Sequence, residues 1–143
     1  MCSSDLGDIR DNVYDLQQFV AGNIMEEKML KQAYYLKDYI RDKEYIDNKV
    51  LDDFLKESGM DVVYITDPSG VVEYTNEKAG MGLNLYEADS TFLALKNGQK
   101  EYIATPIKTR VEDGKPFKFL IVADEGKKLY QVGLSLDSML ESL

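Results

Sequence analysis

A basic segment in the second half of the sequence carries the residues best suited to bind a small charged molecule. Between Lys100 and Lys118 there are five basic and three acidic residues, in a chain whose net charge is -9. Lys108 and Arg110 lie two residues apart on a predicted strand, so both side chains face the same way. Lys118 lies on the next predicted strand. Because Arg and Lys make strong charge-assisted hydrogen bonds to carboxylates, the three cations predict a clamp for a small carboxylate.

The same residues also have a plainer interpretation. Long basic side chains on strands usually lie at the surface, where Glu112 and Asp113 would neutralise them. Tyrosines on neighbouring strands are candidates to wall a pocket and to donate hydroxyl hydrogen bonds, although Tyr also packs half-buried on many strands. The candidate ligand-binding residues are therefore Tyr64, Tyr102, Lys108, Arg110 and Lys118.

Other kinds of chemistry find little support in the composition. The chain has no His and a single Cys, Cys2, which excludes His-based triads, haem attachment and ordinary zinc sites. Asp124 and Glu125 are too few ligands for calcium and are interpreted as turn residues. No nucleophile with a neighbouring base, phosphate loop or pair of catalytic carboxylates is present. We expect no enzyme activity, no cofactor and no metal, and the negative charge argues against nucleic-acid binding.

Two periodicities divide the chain. Residues 8–41 contain no Pro, and Met29, Ala33, Leu36 and Ile40 repeat at helical spacing, which predicts a helix on the order of 50 Å long. A shorter amphipathic helix is predicted near 47–58. From residue 59 the period changes to two. We predict an α+β fold in one domain, with residues 7–58 helical and a five-stranded antiparallel sheet in 59–143. Its strands are expected near 62–66, 71–75, 100–110, 115–123 and 128–136, with a helical stretch near 86–95.

The first six residues have the character of a non-native leader, since Cys-Ser-Ser-Asp-Leu resembles a translated adapter. An exported lipoprotein whose mature chain begins at Cys2 is the alternative. The longest apolar run, Phe119 to Ala123, is far shorter than the roughly 20 residues that span a bilayer.

The element order and three local phrases resemble single Cache (PAS-like) sensor domains. Residues 62–72, VVYITDPSGVV, are similar to the family's central hairpin, whose two strands are joined by a turn with Asp and Gly. Leu95-x-x-Gly98 resembles the helix before its third strand, and residues 132–137 resemble its last strand. Such domains occur in chemoreceptors (methyl-accepting chemotaxis proteins), sensor histidine kinases and cyclic-dinucleotide enzymes.

This resemblance implies an extracytoplasmic sensing domain of a transmembrane receptor, most naturally a chemoreceptor and next a sensor kinase. It also implies a homodimer joined through the N-terminal helix, with membrane attachment only through helices absent from this chain. Amino-acid-binding members use a motif that includes Trp, and this sequence has none, so a small carboxylate is favoured. A cytoplasmic PAS-like dimerisation module without a ligand remains the main alternative.

The first predicted helix is longer than one small domain can bury, and this leads to a prediction about association. The stripe of Ile9, Val13, Leu16 and Val20 should pair two parallel helices. Fusion to a parallel coiled coil should strengthen that pairing by raising the effective concentration. Cysteine cross-links placed along the stripe should then form. Their absence even in the fusion would contradict the prediction.

Overall fold

The first helix supplies one layer of the molecule. The structure, a computed structural model, describes the backbone of residues 3–142 and the side chains of residues 19–142. Helix α1 extends over Ser3–Arg41. Its buried stripe consists of Met25, Met29, Ala33, Leu36 and Ile40, at most 5% exposed, which confirms the stripe predicted from the sequence. Of the stripe predicted for association, the side chains of residues 9, 13 and 16 lie outside the described residues, and Val20 is half exposed.

Helix α2, Asn48–Ser58, has defined ends. Asp47 caps its start, because its side-chain oxygen accepts a hydrogen bond from Val50 N at 2.9 Å. Gly59 ends it in the left-handed conformation with φ of 74°, which glycine adopts without steric cost. Phe54 is fully buried against α1, where Tyr39 and Tyr35 pack around its ring. The predicted helix near 47–58 is therefore confirmed.

The sheet confirms the predicted α+β fold. All its strand pairs are antiparallel, and its order is β2-β1-β6-β5-β3, with β4 also paired to β5. The two longest strands, β5 and β6, lie at its centre. The strands are β1 Val62–Thr66, β2 Val72–Thr75, β3 Tyr102–Ala104, β4 Lys108–Thr109, β5 Pro116–Ala123 and β6 Leu129–Ser135. Three short α-helices, α3 Leu85–Ala88, α4 Leu93–Lys96 and α5 Leu136–Glu141, and two single-turn 3-10 helices, Lys78–Gly80 and Ser90–Phe92, complete the described part of the fold.

The strand predicted over 100–110 is interrupted in the middle. At the break, Thr105 N donates to Phe119 O at 2.8 Å. In the other direction the Thr105 hydroxyl oxygen, rather than its carbonyl, accepts from Phe119 N at 2.9 Å. Pro106 follows and has no N–H to offer. The ladder therefore stops after β3 and resumes at β4, and the carbonyl of Thr105 is released for another partner.

The predicted turn between β1 and β2 is confirmed and is held by Asp67. The Gly70 N–H bonds to the Asp67 carbonyl at 3.0 Å, and the Asp67 carboxylate accepts from Ser69 N and Val71 N. The Ser69 hydroxyl also donates to this carboxylate. Its hydrogen bond first, and then those from the N–H groups, lower the pKa of Asp67 below its usual value.

The sheet separates two apolar layers. On one face Leu120, Val122 and Val132 pack with the buried stripe of α1. On the other, Ile121 and Leu129 pack with α3, α4 and the segment between them. Successive residues of a strand point to opposite faces, so each side chain of β5 belongs to one layer or the other. This division decides which candidate site residues can meet.

Gly133 generates a stability prediction. A Cβ built there would overlap Val62 and would lie 2.7 Å from the ring of Phe119. Gly133→Ala should therefore destabilise the domain by about 1–3 kcal/mol through overpacking. Urea unfolding measures the loss. Gly126→Ala is the matched control, since its Cβ would meet only Asp124 at 3.4 Å. Equal effects of the two substitutions would contradict the close packing of β1, β5 and β6.

Candidate functional site

The five candidate residues fall into two groups on opposite faces of the sheet. Lys108 pairs with Phe117, and Tyr102 pairs with Val122. Directly opposed residues share a face, so Lys108 lies on the face away from α1 and Tyr102 on the face covered by α1. Tyr64 and Arg110 lie with Lys108 along one groove, whereas Lys118 lies towards α1.

The predicted convergence of three cations is therefore wrong in its geometry. On β5, Phe117 and Phe119 stack with ring centroids 5.8 Å apart on the groove side, and Lys118 between them must point the other way. Tyr64 and Tyr102 are separated for the same reason. The structure brings together Tyr64, Lys108 and Arg110. Whether any of the five residues binds a ligand remains a prediction.

Arg110 is the centre of a charged cluster. Its side chain is only 11% exposed. The guanidinium donates to Glu77 Oε1 at 3.0 Å and to Asp113 Oδ2 at 2.7 Å, with Glu112 3.8 Å away. It also lies 4.0 Å from the ring centroid of Phe117, within the range of a cation–π contact. The neutralisation by Glu112 and Asp113, which the plainer interpretation of the sequence proposed, is present.

The electrostatics of this cluster follow from its hydrogen bonds. The bond to Asp113 raises the pKa of the Arg110 guanidinium, so the residue is always charged. In return, the guanidinium lowers the pKa of the Asp113 carboxyl. Two of the five N–H donors of Arg110 point to neither Glu77 nor Asp113. Among the described side chains, the charged groups of the cluster thus bond mainly to one another, and two N–H donors of Arg110 are left for another partner.

Tyr64 is tied to the same cluster. Its hydroxyl donates to Glu77 Oε1, the oxygen that also accepts from Arg110. Burial first, and then the bond to Glu77, raise the pKa of the Tyr64 phenol well above its ordinary value. Gly80 allows this placement, because a Cβ there would collide with the tyrosine ring. The Tyr64 ring therefore forms part of the groove wall, and its hydroxyl is already bonded to Glu77.

Sequence reasoning missed Glu77. It follows β2 and lies outside every element predicted from the sequence, and it contacts Arg110, 33 residues later. A hydrogen bond from its own N–H to the Thr75 hydroxyl, at 3.1 Å, fixes its position. The one available signal was its place just after a predicted strand, which is too common to single out one residue.

These residues border a groove of about 360 Å³ on the far face of the sheet, a size within the range of small-molecule sites. Its floor is mainly aromatic, with Phe117 and Phe119, and Leu83 and Val111 stand exposed at its edge. Among the side chains of residues 19–142, Lys108 makes no ion pair. The full lining is Tyr64, Leu83, Leu85, Thr105, Lys108, Thr109, Arg110, Val111, Glu112, Phe117, Phe119 and Gln131.

The described residues show no gathering of three or more His, Cys, Asp or Glu side chains that would hold a metal ion. Within residues 3–142, no helix combines the length and apolar character needed to cross a membrane.

Comparison with known proteins identifies the fold. No protein-family model matches the sequence, and no curated protein matches it either. Solved structures do match. The Bacillus subtilis YkuI protein, which has an EAL domain and was solved with c-di-GMP and calcium, has a TM-score of 0.63 at 10% identity. The match covers 96% of this chain and 38% of YkuI.

Two further matches are receptor domains. The ligand-binding domain of the Pseudomonas aeruginosa amino-acid chemoreceptor PctC, in complex with GABA, has a TM-score of 0.52 at 11% identity, over 92% of this chain and 64% of that one. An extracellular ligand-binding receptor from Desulfohalobium retbaense has a TM-score of 0.53 at 14% identity, over 85% and 24%. The chain thus shares its fold with these three proteins, two of which are ligand-binding receptors or receptor domains, and it spans less than two thirds of the length of each of the three.

The contact between Tyr64 and Glu77 generates a prediction. A phenol whose pKa is raised on folding contributes stability that is present below its unfolded pKa, near 10, and lost as the pH rises further. Tyr64→Phe removes that contribution and one donor to Glu77. At neutral pH it should lower the free energy of unfolding by roughly 1.5 kcal/mol, the lower end of the range for a hydrogen bond to a charged group, because Tyr64 is partly exposed.

Urea unfolding at neutral pH and above pH 10 measures both effects, and the alkaline decline should be shallower in Tyr64→Phe than in the wild type. Tyr45→Phe is the control, because Tyr45 is 73% exposed. An unchanged alkaline decline in Tyr64→Phe would show that the buried contact is absent.

Proposed function

We propose that this chain is the extracytoplasmic small-molecule-sensing domain of a transmembrane receptor, a chemoreceptor in the first place and a sensor kinase in the second. The proposal depends chiefly on the groove beside Tyr64, Lys108 and Arg110, which joins an aromatic floor to a few placed polar groups. The fold shared with the PctC domain and with an extracellular receptor supports it. In this proposal the domain binds its ligand and does not transform it.

The ligand that we propose is a small carboxylate. Lys108 borders the groove without an ion-pair partner among residues 19–142 and is the natural contact for the carboxylate group. Three acidic residues, Glu77, Glu112 and Asp113, surround Arg110 on the same side. Their charge would oppose a second carboxylate and favour an ammonium group. A zwitterion with separated charges suits this arrangement, and GABA, the molecule bound by the PctC domain, has this form.

Arg110 has a positioning role in this proposal. It holds Glu77, and through Glu77 the hydroxyl of Tyr64, at one side of the groove. Removing Arg110 would leave Glu77 without its strongest partner, so the empty domain would lose stability as well. Arg110→Ala would therefore change both the ligand affinity and the stability of the domain, so it does not isolate the contribution of Arg110 to binding. Lys108 tests the site better, because its side chain is exposed and makes no ion pair in the described region.

The connection between β6 and α5 supports a signalling role in this proposal. Strand β6, which carries Gln131 of the groove, continues into α5 through Ser135. The Ser135 hydroxyl caps α5 by accepting from Ser138 N at 3.0 Å. Asp61, just before β1, accepts from Ser135 N at 2.7 Å and from the Ser138 hydroxyl at 2.9 Å. A ligand that shifts β6 relative to β1 would therefore act directly on α5.

A second candidate function is a cytoplasmic PAS-like dimerisation module. The observation behind it is the match to YkuI, which is described by its EAL domain and not as a receptor. Such a module need not bind a ligand. Fusing a reporter enzyme that is active only outside the cytoplasm to the natural full-length protein separates the two candidates, because only the receptor proposal expects activity.

A ligand series tests the groove. We expect 4-aminobutyrate to raise the melting temperature most, butyrate less and succinate least, because a ligand that binds only the folded state stabilises it. Lys108→Met should weaken 4-aminobutyrate binding by about tenfold, equivalent to about 1.4 kcal/mol, without changing the melting temperature of the empty domain.

Lys115→Met is the matched control, since Lys115 is exposed nearby but does not line the groove. Isothermal titration of both variants gives the affinities. The same affinity in Lys108→Met and Lys115→Met would remove Lys108 from the site, and no binding of any of the three ligands would refute the ligand class.

A further inference from the structure

We propose a second binding site, for a short-chain monocarboxylate, in the cavity between α1 and the interruption of β3 and β4. Lys118 is the cation of this site. The site lies on the face of the sheet opposite the groove, so it is separate from the proposed sensing site. Its occupant would contact α1 directly.

The broken strand places a buried cation at this point. Because the Thr105 hydroxyl takes the ladder bond of Phe119 N, the Thr105 carbonyl accepts instead from Lys118 Nζ at 2.7 Å. The Lys118 side chain is only 6% exposed. Burying an ammonium group is costly unless its charge and its donors are paired.

Lys118 is incompletely paired by the described residues. Its ammonium group has three N–H donors, and the Thr105 carbonyl uses one. The nearest carboxylate oxygen, Glu26 Oε2, lies 3.6 Å away, which is longer than a hydrogen bond. Glu26 itself is one-third exposed. A buried cation with unused donors and a loosely placed counter-ion is well suited to an anionic ligand.

A cavity of about 320 Å³ adjoins this cation. Gly22 of α1 faces it, and a Cβ at Gly22 would point towards Ile107, 3.9 Å away. Glycine inside a helix costs roughly 0.5–1 kcal/mol relative to alanine, and at this position it leaves the space open. The lining is Phe19, Gly22, Asn23, Glu26, Pro106, Ile107 and Lys118.

The lining specifies the chemistry of the ligand. Lys118 supplies a positive charge, and Asn23 supplies an amide donor at the rim. Phe19, Pro106 and Ile107 form apolar walls for a short hydrocarbon chain. Glu26 would repel a second negative charge and competes with the ligand for Lys118. These features favour a monocarboxylate such as propionate over a dicarboxylate or an amine.

Titration calorimetry with sodium propionate, using sodium chloride as the blank, tests the site. Wild-type protein should bind propionate, and Lys118→Met should weaken that binding at least about tenfold. Glu26→Gln should tighten it several-fold, because the competing anion is removed. Gly22→Val should also weaken it, because the added side chain occupies part of the cavity beside Ile107. Lys31→Met, an exposed lysine of α1, is the control and should bind like the wild type.

The outcomes separate this site from the groove. 4-Aminobutyrate binding is measured on the same variants and should be unchanged in Lys118→Met. If Lys118→Met does not fold, Glu26→Gln and Gly22→Val still decide. No propionate binding by the wild type, unchanged binding in Gly22→Val, or weaker binding in Glu26→Gln would each overturn the proposal. The groove is judged separately, by 4-aminobutyrate binding and by the effect of Lys108→Met on it.

Discussion

The side-chain alternation along β5 is the constraint on which the rest of the structure depends. A two-residue period sends Phe117 and Phe119 to one face of the sheet and Lys118 to the other. Because β5 pairs with β6, β3 and β4, its alternation sets the facing of every strand bonded to it. One face must then cover the apolar stripe of α1, and the other must accept α3 and α4. The groove beside Arg110 and the cavity beside Lys118 lie on opposite faces of the sheet.

The cation beside the groove and the cation beside the cavity are paired with carboxylates to different extents. Arg110 is held by two carboxylates at hydrogen-bond distance, and a third lies near, so the guanidinium mainly orders the side of the groove. Lys118 is more deeply buried, and among the side chains of residues 19–142 it has one hydrogen bond, to the Thr105 carbonyl, and one carboxylate at 3.6 Å. A buried charge lacking close partners is the more responsive of the two, because a new anion gains most where the existing pairing is weakest. The two close carboxylates at Arg110 and the more distant one at Lys118, within residues 19–142, are the basis for the different roles that we propose for these two cations.

Local signals predicted the elements well and the site poorly. Helical spacing gave the buried stripe of α1, and the Asp-Pro-Ser-Gly turn gave the hairpin, since both depend on residues a few positions apart. The strand predicted over 100–110 was interrupted, because the hydroxyl of Thr105 competes with its own carbonyl for the ladder bond. The Thr105 side chain and the missing N–H of Pro106 interrupt the strand together, and two-residue periodicity alone shows neither effect. Glu77 was missed because its partner Arg110 lies 33 residues away, a distance over which only the folded sheet brings residues together.

Strand β6 connects these features to α5. It lies between β1 and β5, and Gly133 allows both neighbours to approach closely, since Val62 and Phe119 occupy the space of a side chain. Phe119 is also part of the groove floor. A ligand that displaces Phe119 would therefore press on β6 at the position where the packing is tightest, two residues before the cap of α5. Such a displacement shifts α5 only if the ligand binds one arrangement better than the other. The hydrogen bonds of Asp61 to Ser135 and Ser138 would then carry the change from β1 and β6 into the helix together.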